Sequence, residues 1–226
     1  MYSNKNAKKG IYNCEKWYDS SLDTFRSLER TGIEFHLSGM DNIRKAEGPV
    51  VFVGNHMSTL ETMILPSIIR PIKQVVYVIK EELSKYPLFG AIALARDPIL
   101  VGRENPREDL KIVLEEGSKR LQNGKSVIIF PQKTRSSVFN PALFNSLGTK
   151  LAKRNNVQVI PFALITDAWG NGKHIKEVGK IDPSKKVFMS FGPPIQITGN
   201  GSEEHNQVIE FIANKFREWG RAELIV

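Results

Sequence analysis

Val50-Val51-Phe52-Val53-Gly54-Asn55-His56-Met57-Ser58-Thr59-Leu60-Glu61 is the stretch on which the fold is decided. Its first four residues are apolar and mostly β-branched, with no polar residue alternating among them, which suits a strand covered on both faces. Ser58-Thr59-Leu60-Glu61 then has the form of a capping box that opens a helix. The segment reads as strand, polar turn and helix, the unit of an open α/β sheet. In such sheets the working residues collect just past the carboxyl ends of the strands.

Similar signals extend in both directions. Upstream, Ile33, Phe35 and Leu37 alternate with polar neighbours as a half-buried strand before Gly39. Ile11, Cys14, Tyr18, Leu22 and Phe25 recur at helical spacing over residues 11 to 30, and Gly32 ends that helix. Downstream, the sequence predicts a strand at Gln74 to Ile79, a short helix after Pro87 and a strand at Ile99 to Val101. Asn105-Pro106 starts a helix with Leu110, Val113, Leu114 and Leu121 on one face, stopping near Gly124. Ser126 to Phe130 is a buried-type strand, Leu143, Leu147 and Leu151 mark a helix, and Val157 to Ile165 is a strand interrupted by Pro161. Val187 to Phe191, the breaker Pro193-Pro194 and a closing helix with Val208, Phe211, Ile212, Phe216 and Trp219 complete the chain. The expected fold class is α/β: a single domain over residues 31–226 with a mixed central sheet packed between helices, plus an N-terminal amphipathic helical segment over residues 1–30.

With 226 residues, 41% hydrophobic and 25% charged, the chain has globular proportions that exclude wholesale disorder and a fibrous repeat. The single cysteine, Cys14, has no intramolecular disulfide partner, and no CxxC or Cys/His cluster offers a zinc site, so a reducing compartment fits. The apolar stretch from Tyr86 to Ala95 falls well short of the ~20 residues a transmembrane helix needs, and the basic start lacks the apolar core of a signal peptide. A soluble or peripheral protein is expected. The net charge of +8 favours anions: nucleic acid, an anionic membrane surface or phosphorylated substrates. Without a zinc knuckle, an RNP-like strand or a basic helix, nucleic acid is set aside.

The strand ends carry the polar residues. His56 precedes Glu61 by five residues across a strand end and a helix start, so Glu61 could orient His56 as a general base. Equally, Glu61 could serve only as the capping-box carboxylate, and His56 as a turn residue. Gly102-Arg103, Lys80-Glu81-Glu82-Leu83 and Pro131-Gln132-Lys133-Thr134-Arg135-Ser136 bring cations to other strand ends, where the plain alternative is surface solubility.

Taken together and in order, Asn55-His56 with Ser58 and Glu61, Lys80 with Glu82-Leu83, Pro87 with Gly90, Gly102-Arg103, Phe130-Pro131 with Thr134-Arg135-Ser136, and Ile160-Pro161 resemble the motif blocks of the glycerolipid acyltransferases, most of all the bacterial PlsC type. The resemblance runs from about Gly39 to Ala163. Two departures stand out: Glu61 occupies the place of the usual Asp, and Gln132-Lys133 that of the usual Glu-Gly, which makes the third block more cationic and removes a glycine. The resemblance implies direct acyl transfer to 1-acylglycerol 3-phosphate from acyl-CoA or acyl-carrier protein, with no metal or redox cofactor. His56 would be the general base and Glu61 its orienting partner. Arg103 and Arg135 would clamp the acceptor phosphate, with Lys80 and Lys133 adding charge and Thr134 and Ser136 serving as helix caps, phosphate donors or both. Other acceptors, a lysophospholipid or glycerol 3-phosphate, and a non-catalytic binder of anionic lipid are the alternatives.

A lipid acceptor implies a peripheral location on the cytoplasmic face of an anionic membrane. The N-terminal helix, with Trp17, Tyr18, Phe25 and Leu28 near Lys5, Lys8 and Lys9, is either packed on the sheet or an interfacial anchor. His36, His174 and His205 are expected to be solvated, and Trp169-Gly170-Asn171-Gly172 to be a turn or part of a substrate entrance.

Overall fold

The buried runs assemble into one seven-stranded sheet in the computed structural model, which describes residue 7 and residues 12–86, 90–172 and 179–226. In chain order the strands are β1 (Phe35–Ser38), β2 (Val51–Gly54), β3 (Val75–Lys80), β4 (Ile99–Val101), β5 (Ser126–Ile129), β6 (Val159–Ile165) and β7 (Val187–Phe191). Their spatial order is β1-β7-β6-β2-β5-β3-β4. All neighbours pair parallel except β6 with β7, so β1 and β7 run against the other five and the sheet is mixed.

The central strands β2, β5 and β6 are buried at every position because side chains of both parities meet a helical layer. Phe52, Ile128 and Ile160 face a core built with α1 (Cys14–Arg30), α2 (Met40–Lys45), α3 (Thr59–Ile69) and α4 (Gly90–Leu94). Val51, Val53, Val127, Ile129 and Val159 face the opposite core, with α5 (Pro106–Gln122), α6 (Leu147–Asn155) and α7 (Ser202–Glu218). The α/β architecture expected from the sequence is what is found.

Several elements depart from expectation. Pro161 does not interrupt β6. Val159 exchanges both backbone bonds with Ile195, and Gly192 N donates to Pro161 O at 2.8 Å, so the missing N–H falls opposite the irregular Gly192-Pro193-Pro194 segment. Leu37 is 38% exposed because β1 is an edge strand. Leu143 lies outside α6, on a short 3-10 turn, and is 71% exposed. Helix α1 begins at Cys14, capped by the Asn13 side chain accepting from Lys16 N. Pro87, His174, Lys5, Lys8, Lys9 and Ile11 lie outside the described residues.

Helix α1 is joined to α3 at the site of a proline. Pro66 inside α3 lacks the N–H that would close on Thr62 O. The Tyr77 hydroxyl donates to that carbonyl at 3.4 Å, while Ser21 on α1 donates to Met63 O at 2.6 Å and accepts from Ser67 N at 2.9 Å. Trp17 and Leu28 are almost fully buried and Phe25 packs against the same core. Three of the four residues considered above as a lipid-facing surface, Trp17, Phe25 and Leu28, therefore pack against the core. Among the described residues no helix is long and apolar enough to cross a membrane. Ser21→Ala should lower stability by about 1–3 kcal/mol, the cost of unpaired buried polar groups, read as a reduced urea midpoint; an unchanged midpoint would show that the hydroxyl does not tie the helices together.

Candidate active site

The site is built at the carboxyl end of β2. Gly54 is required there because a Cβ would come within 2.4 Å of the Phe162 ring on β6. Asn55 then imitates a strand backbone: its Nδ2 donates to Leu164 O at 2.9 Å and its Oδ1 accepts from Leu164 N at 2.8 Å. Pairing with β6 is thus carried one residue further before the chain turns. His56 follows, its main chain held on both sides by the loop after β5. Its N–H donates to Gln132 Oε1 at 2.5 Å, and its carbonyl accepts from Ser136 N at 2.9 Å. The imidazole stacks on Phe130, with ring centroids 4.2 Å apart and planes 19° from parallel.

Glu61 is fully buried in the first turn of α3, with five donor groups within hydrogen-bond reach of its carboxylate. Oε1 takes His56 Nδ1 at 2.9 Å, Met57 N at 2.6 Å and Ser58 N at 2.8 Å. Oε2 takes Ser58 Oγ at 2.9 Å and Thr166 Oγ1 at 2.6 Å. Ser58 Oγ in turn accepts from Leu60 N, so the capping box is complete. One carboxylate therefore both bonds the His56 ring and closes the capping box. Burial pushes its pKa up, but the hydrogen bond and charge of His56, with the bonds from Thr166 and Ser58, outweigh burial and hold it below the ordinary carboxylate range. With Nδ1–H given to Glu61, the neutral ring carries its free lone pair on Nε2, the form a general base needs.

Two arginines stand beside this pair. Arg135 donates from its guanidinium to Thr59 Oγ1, at the start of α3. Arg103 has a left-handed backbone, φ +65°, and the Asp109 carboxylate accepts from both Gly102 N (3.1 Å) and Arg103 N (3.2 Å) to hold it there. Its guanidinium donates to the carbonyl of Lys133. Burial pulls the Arg103 pKa down; Asp109 opposes that shift, and the charge of Arg135 adds to it. Two guanidiniums that repel each other next to a candidate base form a place where a bound anion would relieve the repulsion.

The remaining expected residues are less concentrated. Lys80 pairs with Glu82 and so arrives with its charge partly offset. Lys133 has an exposed side chain and no left-handed φ, so the loop does not demand glycine at that position. Thr134 is exposed, and Ser136 Oγ accepts from Val138 N at 3.2 Å within a turn. Gln132 is buried, and its amide oxygen accepts from the His56 N–H, so it staples the loop after β5 to the His56 main chain. His36 is half exposed and stacks on Phe188. His205, expected in solvent, is half-buried: Nε2 donates to Phe144 O at 3.1 Å, and burial pushes its pKa down. Trp169 lines a cavity of about 300 Å³ with Leu28, Thr31 and Ile181, which shares no residue with the His56–Glu61 pair.

Sequence reasoning missed Thr166 and Asp109 as partners of the site. Thr166 carries a legible signal, as the polar residue that ends an apolar run on the strand next to β2.

A strand-end imidazole hydrogen-bonded to a buried carboxylate, with two guanidiniums on the loops after β4 and β5, is the arrangement these residues form. The acyltransferase family model matches residues 34–165, more than half of the chain, and the chain belongs to that family. It is 33% identical over 171 residues to the 1-acyl-sn-glycerol-3-phosphate acyltransferase of Pseudomonas aeruginosa, an alignment covering 75% of this chain and 62% of that protein. It is 32% identical over 88 residues to the lyso-ornithine lipid O-acyltransferase of Rhizobium meliloti, covering 39% of this chain and 28% of that one. The chain thus spans less than two thirds of these curated relatives. The crystal structure of the 1-acyl-sn-glycerophosphate (LPA) acyltransferase PlsC from Thermotoga maritima is similar in fold, with a TM-score of 0.69 at 21% identity, over 97% of this chain and 84% of that one.

A carboxylate whose folded-state pKa is depressed contributes stability above its unfolded pKa, which is lost as pH falls through the folded value. Glu61→Gln should therefore lose most stability at neutral pH, with the gap from wild type narrowing below the usual glutamate range, about pH 4. Urea unfolding at pH 7 and pH 3.5 reads this; a gap equal at both would contradict the depressed pKa.

Proposed function

We propose that this chain moves a fatty acyl group from an acyl thioester, acyl-CoA or acyl-carrier protein, to the free hydroxyl of 1-acylglycerol 3-phosphate, giving phosphatidic acid. The observation that carries the proposal is the five-donor Glu61 carboxylate holding His56 Nδ1, which leaves Nε2 as the base. In this reading Nε2 takes the proton of the acceptor hydroxyl as its oxygen attacks the thioester carbonyl. Glu61 stabilises the imidazolium. The tetrahedral intermediate collapses with cleavage of the C–S bond, and the imidazolium returns its proton to the departing thiolate. Every atom is accounted for by the two substrates and His56.

The acceptor phosphate is assigned to Arg103 and Arg135, whose mutual repulsion and planar forks suit it. The acceptor in the name of the Pseudomonas aeruginosa relative, 1-acyl-sn-glycerol-3-phosphate acyltransferase, supports the same choice. The similarity to the lyso-ornithine lipid acyltransferase supports a second reading, a lysolipid acceptor with different head-group chemistry. A peripheral position on the cytoplasmic face of an anionic membrane accords with a lipid acceptor. Tyr86 and Leu143, both exposed, follow the carboxyl ends of β3 and β5, the sheet edge at which His56 sits.

The test is thiol release by the purified chain with acyl-CoA or acyl-carrier protein and a panel of acceptors. Wild type should turn over 1-acylglycerol 3-phosphate, and His56→Ala should lose about 10²–10⁴-fold while remaining folded. Arg103→Ala or Arg135→Ala should raise KM for this acceptor with kcat/KM falling about tenfold or more, as expected for loss of a charged contact. An acceptor without the phosphate should be little affected. Equal losses on both acceptors would contradict the clamp, and a folded His56→Ala variant with wild-type turnover would remove the proposed base.

A further inference from the structure

Thr166 lies three residues beyond the last point at which the sequence resembles the acyltransferase blocks, and 105 positions from Glu61. It follows directly on β6, is fully buried, and its Oγ1 donates to Glu61 Oε2 at 2.6 Å. Its main chain is fixed from the β2 side, with N–H directed at Met57 Sδ (3.3 Å) and the carbonyl accepting from Ser58 Oγ (2.9 Å). From that anchored main chain the hydroxyl is directed at the carboxylate.

Ser58 does not duplicate this bond. Its hydroxyl has a single proton, and three acceptors lie in reach: Glu61 Oε2 at 2.9 Å, Thr166 O at 2.9 Å and Thr166 Oγ1 at 3.1 Å. Thr166 is therefore the committed donor on Oε2, whereas Oε1 is held by three N–H groups, His56 Nδ1 among them. A carboxylate held on one oxygen alone turns about its terminal torsion, which is soft. Fixing Oε2 fixes the plane in which Oε1 receives the imidazole N–H. Through that plane it also fixes the direction of Nε2.

We propose that Thr166 is a positioning residue: its hydroxyl locks the Glu61 carboxylate from the neighbouring strand, so that the working unit is His56–Glu61–Thr166 and not the histidine and carboxylate alone. The proposal rests on the reading of His56 as the base. It assigns to β6 a part in the chemistry, since the strand beside β2 supplies the lock that orients the group β2 presents.

The experiment compares Thr166→Val, Thr166→Ser and Thr166→Ala in the full chain. Val keeps the shape and removes the hydroxyl. Ser and Ala both omit the methyl, and only Ala omits the hydroxyl, so this pair carries the test if the Val variant does not fold. Val and Ala should lower kcat about 10–100-fold, the loss typical when an outer partner that orients a working group is removed, with KM for 1-acylglycerol 3-phosphate within about twofold. Ser should restore kcat to near wild type. Nitrogen NMR of the His56 imidazole followed across a pH series, which needs no turnover, should show a single Nδ1–H tautomer of the neutral ring in wild type and Ser, and a mixture in Val or Ala. Val with wild-type kcat and an unchanged tautomer, or Ala indistinguishable from Ser in both readouts, would overturn the proposal. Should wild type transfer no acyl group, the functional reading fails, and the imidazole signal still decides the role of Thr166.

Discussion

A carboxylate shut away from water has to be surrounded by donors, and much of this site is arranged around the fully buried Glu61. An uncompensated charge at that depth would cost several kcal/mol. The compensation comes from the Ser58 and Met57 backbone at the start of α3, from the Ser58 and Thr166 hydroxyls and from the His56 ring. These groups belong to the β2–α3 turn and to the end of β6. The same donors that make the buried charge tolerable also start a helix, join two strands' ends and set an imidazole. The contacts that stabilise the turn are the ones that hold the imidazole, so the ring cannot shift without the turn shifting with it.

The surroundings keep that turn in place. Asn55 prolongs the β2–β6 pairing to the residue before His56, and the loop after β5 grips the His56 main chain through Gln132 and Ser136 while Phe130 supports the ring. Helix α3, which carries Glu61, contains Pro66, and the carbonyls and N–H around it are met by Tyr77 and by Ser21 of α1. The N-terminal helix is thus part of the scaffold beneath the carboxylate. On the other side, Asp109 holds Arg103 in a left-handed backbone, at an expense of roughly 1–2 kcal/mol, so that its guanidinium lies along the loop that also carries Arg135.

Much of this was legible in the residues. The unbroken apolar run at Val50 to Val53 announces a strand covered on both faces, and Ser58 to Glu61 announces the helix after it, because both signals are local. The His56–Glu61 spacing was legible too, but as two alternatives, and spacing has no means of showing that one carboxylate serves both. What escaped depends on the neighbours that distant segments supply. Pro161 reads as a break until the irregular Gly192-Pro193-Pro194 segment is seen opposite its missing N–H. Trp17 and Leu28 read equally well as a lipid-facing or an inward stripe, and only the position of α3 decides. Gln132 reads as a lost charge until its amide oxygen is found on the His56 N–H, and Thr166 is separated from Glu61 by most of the sheet in sequence.

The account stands on Glu61 acting in the reaction through His56, and a double-mutant cycle on kcat/KM tests that most directly. Measured with acyl thioester and 1-acylglycerol 3-phosphate, Glu61→Gln should lose much of its activity in the wild-type background and almost none further in the His56→Ala background, so that the double variant equals His56→Ala. Independent losses that multiply in the double variant would contradict it, and would leave Glu61 as a helix cap alone.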